Sequence, residues 1–191
     1  SVDLGTATTT LRFIKLTGTA NTTNPFIRSV TLINCFVTNS SSNTSLVVSG
    51  ALTAFNSVFE ATGTAYANVA QSGSLVNCRI VGNSSASSGN RHGINSSTAN
   101  PAYIRVTVVN NPGSGLILTG STTSSSASIL NCLFHGNGYG IRLQSVASQT
   151  NLQRIQGCYI ANSTTAGIDG QSQAYPITFS SRLRDNGTSG N

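Results

Sequence analysis

"LNCLFHGNGYGIRL", residues 130 to 143, places an Asn-Cys pair, an aromatic two positions beyond the Cys, three glycines and a renewed apolar alternation within a few turns' worth of chain. The same plan returns in "VTLINCFVTNSS" (30 to 41), "SLVNCRIVGNSS" (74 to 85) and "RIQGCYIANSTTAGI" (154 to 168), with looser copies at 53 to 63, 102 to 111 and 177 to 188. Aligned on the Cys slot, the copies place Cys35, Ser57, Cys78, Val106, Cys132, Cys158 and Ser181 at successive spacings of 22, 21, 28, 26, 26 and 23 residues. A fixed motif separated by loops of variable length is the pattern of a solenoid, whose units bury their apolar faces only by stacking.

Each copy reads as three short strands. The first ends just before the Asn-Cys pair, as in Leu32-Ile33, Leu75-Val76 and Ile129-Leu130. The second starts at the Cys slot and carries Val37, Phe59, Ile80, Val108, Phe134, Ile160 and Leu183 two residues on, which is the same face of a pleat. The third follows a Ser, Asn and Gly turn and points Leu46, Leu116, Ile141 and Ile168 inward. The fold class predicted is all-β, a parallel β-helix of about seven to eight coils with three strands each.

Composition agrees. Of 191 residues, 38% are apolar and only 7% charged, without Met or Trp, and no stretch keeps a 3.6-residue apolar period with a cap before it. Helices are therefore expected to be nearly absent, and no apolar run approaches the roughly 18 residues that a membrane-spanning helix needs. One domain over 1–191 is expected, with 1–29 as an entry segment and 30–188 as repeat coils. The chain reads as a segment of a longer protein. The net charge of +6 comes from cations placed singly, which argues against a nucleic-acid partner with its clustered basic patch.

The repeat resembles the right-handed parallel β-helix of the pectate-lyase-like superfamily, with its "I-x-NC-x-F-x-x-N" unit followed by "GI-x-L", over about residues 30 to 188. The resemblance implies the right hand. It spans pectate lyases, polygalacturonases, phage tailspikes and bacterial surface adhesins, so it specifies fold more than activity. The adhesin likeness rests on "FVTN" and "FHGN".

The residues assign themselves within that frame. Asn34, Asn56, Asn77 and Asn131, with Gly157 in the equivalent place, fall at one turn where a left-handed backbone is required and their amides can bond from coil to coil. Gly136, Gly138 and Gly140 are read as the sharp turn that follows. The four cysteines share one inward slot and are expected to be free, buried thiols; only Cys132 and Cys158 lie on adjacent coils, and no short paired spacing suggests a metal. His92 and His135 are read as surface or turn residues.

Enzymes of this superfamily work with carboxylates gathered on one face, and this chain has four in all: Asp3, Glu60, Asp169 and Asp185. Asp169 alone falls outward on the "GI-x-L" strand, one coil from Arg142, and the pair is read as a surface salt bridge that is at most a weak catalytic candidate. Glu60 is read about five coils away. Binding is easier to support: the outward row Phe36, Val58, Arg79, Thr107, Leu133, Tyr159 and Arg182 offers Arg79, Tyr159 and Arg182, and Tyr139 with Arg142 adjoins it. A Thr-x-Thr array suited to ice, suggested by "TATTT" at 6 to 10, is not found. The reading is a non-catalytic shaft of an extracellular, cell-surface or virion protein that presents loops to a polysaccharide or cell-surface glycan. A homo-oligomer is expected, a trimer included, or neighbouring domains of the same chain; no cofactor, metal, nucleic acid or membrane insertion is expected. The alternatives are a polysaccharide lyase or glycoside hydrolase whose site is completed by another subunit or domain, and a bacterial adhesin segment.

Overall fold

A computed structural model describes residues 9–18, 27–39, 46–63, 67–83, 91–97, 100–119, 126–144, 153–170 and 177–187. Among these residues the chain forms eighteen β-strands and no helix, and each paired strand runs parallel to its neighbour. The protein is an all-β parallel β-helix.

The first side runs from Thr9–Arg12 through Ile27–Ile33, Leu46–Phe55, Ala67–Val76, Ala102–Ile104 and Ser128–Leu130 into the starts of Gln153–Ala161 and Ile177–Arg184. On the second lie Lys15–Gly18, Phe36–Asn39, Val58–Ala61, Arg79–Val81, Thr107–Val109 and Leu133–His135, then the ends of the same two long strands. The third is built from His92–Ser96, Ser114–Leu118, Tyr139–Leu143 and Ala166–Asp169. Earlier on that side the winding is shared with the long strands, as where Ala67 pairs with His92. The turns number about five, fewer than the seven to eight expected; among the described residues a separate third-side strand forms only in the later repeats.

The repeat alignment survives residue by residue. Val37, Phe59, Ile80, Val108, Phe134, Ile160 and Leu183 are successive Cα partners, and all but the partly exposed Leu183 are buried. Leu116 and Ile141 are buried and Ile168 partly so; the side chain of Leu46 lies outside the described residues. One rung precedes those read from sequence: Leu11 and Leu16 pair with Leu32 and Val37, inside the stretch expected to be an entry segment. There Phe13 and Ile14 stand where later repeats have Asn and Cys, so the pattern is invisible to a search for that pair.

The corner between the first two sides explains the Asn-Cys motif. Asn34, Asn56, Asn77 and Asn131 have φ of 54°, 49°, 53° and 55°, and Gly157 has 63°, the left-handed region that Asn and Gly enter most cheaply. This conformation keeps the ladder unbroken around the bend: Asn34 N–H donates to Phe55 O, Asn56 to Val76 O, Asn77 to Ile104 O and Asn131 to Gln156 O, at 3.1, 3.0, 2.9 and 2.8 Å. The Asn77 amide also donates to Asn56 Oδ1 at 3.1 Å.

The next residue turns inward and bonds to the bend. Ser57 Oγ accepts from Cys35 N–H at 3.1 Å and donates to Phe55 O at 2.9 Å; Ser181 does the same for Cys158 N–H and Ile155 O. Cys132 Sγ accepts from Val106 N–H at 3.4 Å and lies 3.4 Å from Tyr103 O. Where Cys or Ser fills the slot, its small side chain can both accept and donate, which lets the two interchange; Val106, also buried there, fills it by packing alone. All four cysteines are free and buried.

A second polar file lines the next corner. Asn137, fully buried, accepts from Asn111 N–H and Nδ2 through Oδ1 at 3.0 and 2.9 Å and donates from Nδ2 to Val108 O at 3.1 Å. Two rungs later Asn186 accepts from Ser163 N–H and donates to Ile160 O, both at 3.1 Å. These amides satisfy the backbone groups that the bend leaves unpaired. Of the three glycines read as one turn, only Gly136 has left-handed backbone, at φ 63°. Gly138 and Gly140 serve close approach instead: a Cβ on Gly140 would strike Gly167 O and Ile160 Cγ2. Gly140→Ala is expected to lower stability by about 1–3 kcal/mol through overpacking, seen as a lower urea midpoint with unchanged slope.

Candidate functional site

The carboxylates do not assemble. Asp169 Oδ2 accepts from Arg142 Nε at 3.1 Å, with side chains 23% and 21% exposed, as expected for a surface ion pair on the third side. The Arg142 guanidinium lies 4.7 Å from the Tyr139 ring centroid, so an aromatic face and a carboxylate hold it from two directions. Glu60 is on the second side, and its column runs through Val81, Val109 and His135 to Ala161 before reaching the coil of Asp169. That is four rungs, about 19 Å along the axis, in place of the five read from sequence, and too far for both to serve one glycosidic bond. Asp185 pairs with Arg184 at 3.0 Å. Asp3 lies outside the described residues. Among the described residues no three His, Cys, Asp or Glu side chains gather as a metal site.

Burial pushes the Cys78 thiol up. Cys132 and Cys158 share a hydrogen bond that pushes the Cys132 thiol up and brings Cys158 down to about 7, the direction a reactive thiol needs, although Cys158 is buried.

The five binding candidates fall into two groups. Arg79, Tyr159 and Arg182 share one outward column of the second side, in the order Arg79, Thr107, Leu133, Tyr159, Arg182. Tyr139 and Arg142 belong to the third side with Asp169. Sequence reasoning missed a denser cluster at the corner of the first two sides: Phe13 is 76% exposed, and Phe36 and Phe55 are each 37% exposed. The signal was present, since Phe13 stands 21 residues before Asn34, one repeat spacing. On the first side Thr10, Thr31 and Thr53 do form a single outward file continued by Ser74, but the residues two along are Arg12, Ile33, Phe55 and Val76, so no Thr-x-Thr array results.

His92 departs from its reading as a surface residue: it is 6% exposed within a strand, and its Nδ1 accepts from Ser114 N–H at 3.0 Å. Burial, aided by the charge of Arg142, lowers its pKa from 6.5 to about 4. The unfolded chain binds this proton more readily, so the His92 contribution is complete above about pH 6.5 and is lost as pH falls towards 4. At about 1.4 kcal/mol per pKa unit the loss is about 3 kcal/mol.

No family model, curated protein or solved structure matches the chain. In thermal melts from pH 7 to pH 4, the fall in stability is expected to shrink by about 3 kcal/mol in His92→Asn, whose amide can keep the Ser114 bond; an equal fall in both proteins contradicts the assignment.

Proposed function

We propose that this chain is a rigid, non-catalytic β-helix scaffold of an extracellular or virion surface protein, similar in role to a tailspike shaft, that binds glycan along its outer columns. The observation that carries the reading is the in-register stacking itself, which repeats outward side chains at strand spacing and so suits a linear, repeating ligand. The separation of Glu60 from Asp169 and the engagement of Asp169 by Arg142 support binding over hydrolysis. Tyr139 and Arg142 offer a stacking ring beside a hydrogen-bond donor. Homo-oligomerisation, as a trimer, belongs to the same reading.

The test is incubation with acidic and neutral polysaccharides, followed by retention on each and assay for new reducing ends and unsaturated products. Retention without products is expected. Product formation that Asp169→Asn abolishes would establish instead a carbohydrate-active enzyme. A trimeric sedimentation mass favours the spike form over an adhesin segment.

A further inference from the structure

Two of the four cysteines stand apart from the others. The inward slot of the first corner runs Ile14, Cys35, Ser57, Cys78, Val106, Cys132, Cys158 and Ser181, so Cys35 lies between Ile14 and Ser57, and Cys78 between Ser57 and Val106. Cys132 and Cys158 alone have each other as neighbours. Their alignment is held from both sides: Leu130 pairs with Gln156 and Leu133 with Tyr159, while Asn131 N–H donates to Gln156 O at 2.8 Å and Tyr159 N–H to Cys132 O at 2.9 Å. Strand spacing puts the two Cα atoms about 4.8 Å apart, within the range of about 4.4–6.8 Å that a disulfide spans. The two thiols already share a hydrogen bond.

The pair is chemically asymmetric. The hydrogen bond from the Cys132 thiol brings Cys158 down to about 7 against the effect of burial, and the Cys132 amide and the Ser181 hydroxyl act in the same direction. The same bond, with burial, pushes Cys132 up. At neutral pH Cys158 is therefore the nucleophile, and Cys132 keeps its proton beside it. Access is asymmetric as well. Cys158 is covered by the rung Ile177–Arg184, which supplies Ser181 and contains no buried residue, whereas Cys132 lies between the slots of Val106 and Cys158. A rung with so little burial opens locally at low cost, and its opening uncovers Cys158 first.

We infer that Cys132 and Cys158 are a modification site for a small hydroperoxide, whose reduction closes a disulfide that staples two coils from inside the solenoid. The inference does not rest on the glycan reading. In the first step the Cys158 thiolate attacks one oxygen of hydrogen peroxide; the O–O bond breaks, hydroxide leaves, and Cys158 becomes a sulfenic acid. In the second, Cys132 sulfur attacks the Cys158 sulfur and the S–O bond breaks. The departing hydroxide takes the Cys132 proton as water, and the hydroxide released earlier takes the proton that Cys158 gave up on ionising. Two thiols lose two electrons in all, and one peroxide becomes two waters. The bond closes a loop between residues 26 apart in sequence. Cys35 and Cys78, with Ser, Val or Ile as neighbours, have no thiol with which to complete the second step.

The experiment treats the folded full chain with hydrogen peroxide, alkylates the remaining thiols after denaturation, and maps the peptides by mass. Expected are loss of two of the four thiols, a linked peptide pair containing Cys132 and Cys158, and alkylated Cys35 and Cys78. The rate should rise with pH about a midpoint near 7, and the melting temperature should rise by about 10 °C, a gain that dithiothreitol reverses. Cys132→Ser and Cys158→Ser place in the slot the residue that Ser57 and Ser181 already provide there. Cys132→Ser is expected to stop at a Cys158 sulfenic acid that dimedone labels, and Cys158→Ser to leave Cys132 reduced. Four free thiols after treatment, oxidation of Cys35 or Cys78 at the same rate, or a link between two chains overturns the inference. So does a rate independent of pH, an undiminished loss of the Cys132 thiol in Cys158→Ser, or a linked pair without a gain in melting temperature.

Discussion

A parallel coil holds together only if hydrogen bonding between rungs continues where the chain bends, and at the corner between the first two sides one left-handed residue meets that requirement in every described rung but the last. With φ near 50° at Asn34, Asn56, Asn77 and Asn131, the amide at the turn donates to the following rung. The amide two residues later donates to the preceding rung, as when Phe36 N–H bonds to Ile14 O and Leu133 N–H to Val106 O. The bend is thus bonded in both directions and cannot slip by one residue without turning the inward Val37, Phe59 and Ile80 column out to water. The Cys or Ser that follows ties the inner side of the same bend.

Much of this was written in the chain. The Asn-Cys pair of three rungs and the looser copies aligned on it placed seven rungs, and their register is the one the pairings contain. What stayed hidden has equally physical reasons. The first rung was missed because Phe13 and Ile14 satisfy the same backbone with different side chains. Nothing in the local sequence sets Asn111 and Asn137 apart; that they are buried and bonded to each other across coils depends on stacking. His92 sits in the polar stretch "NRHG", where burial comes from the coils on either side and leaves no local trace.

The candidate site was legible in part. The outward column of Arg79, Tyr159 and Arg182 and the Arg142–Asp169 pair follow directly from the alignment. The cluster at the corner does not, since Phe13, Phe36 and Phe55 belong to three repeats and three different columns. Its meaning depends on backbone conformation: an exposed Phe is ordinary on a protein surface, whereas an exposed Phe in a left-handed turn is not. The fold fixes the turn and the turn favours Asn or Gly, yet Phe13 and Arg105 hold the same left-handed backbone with neither.

Neighbour distance along one outward column tests the stacking most directly. Thr107, Leu133 and Tyr159 are successive Cα partners, so Thr107→Cys/Leu133→Cys should oxidise to a disulfide across about 4.8 Å. Thr107→Cys/Tyr159→Cys, at about 9.6 Å, should stay reduced. A disulfide in the first protein and free thiols in the second is the result the coil predicts; free thiols in the first, or a bridge in the second, contradicts it.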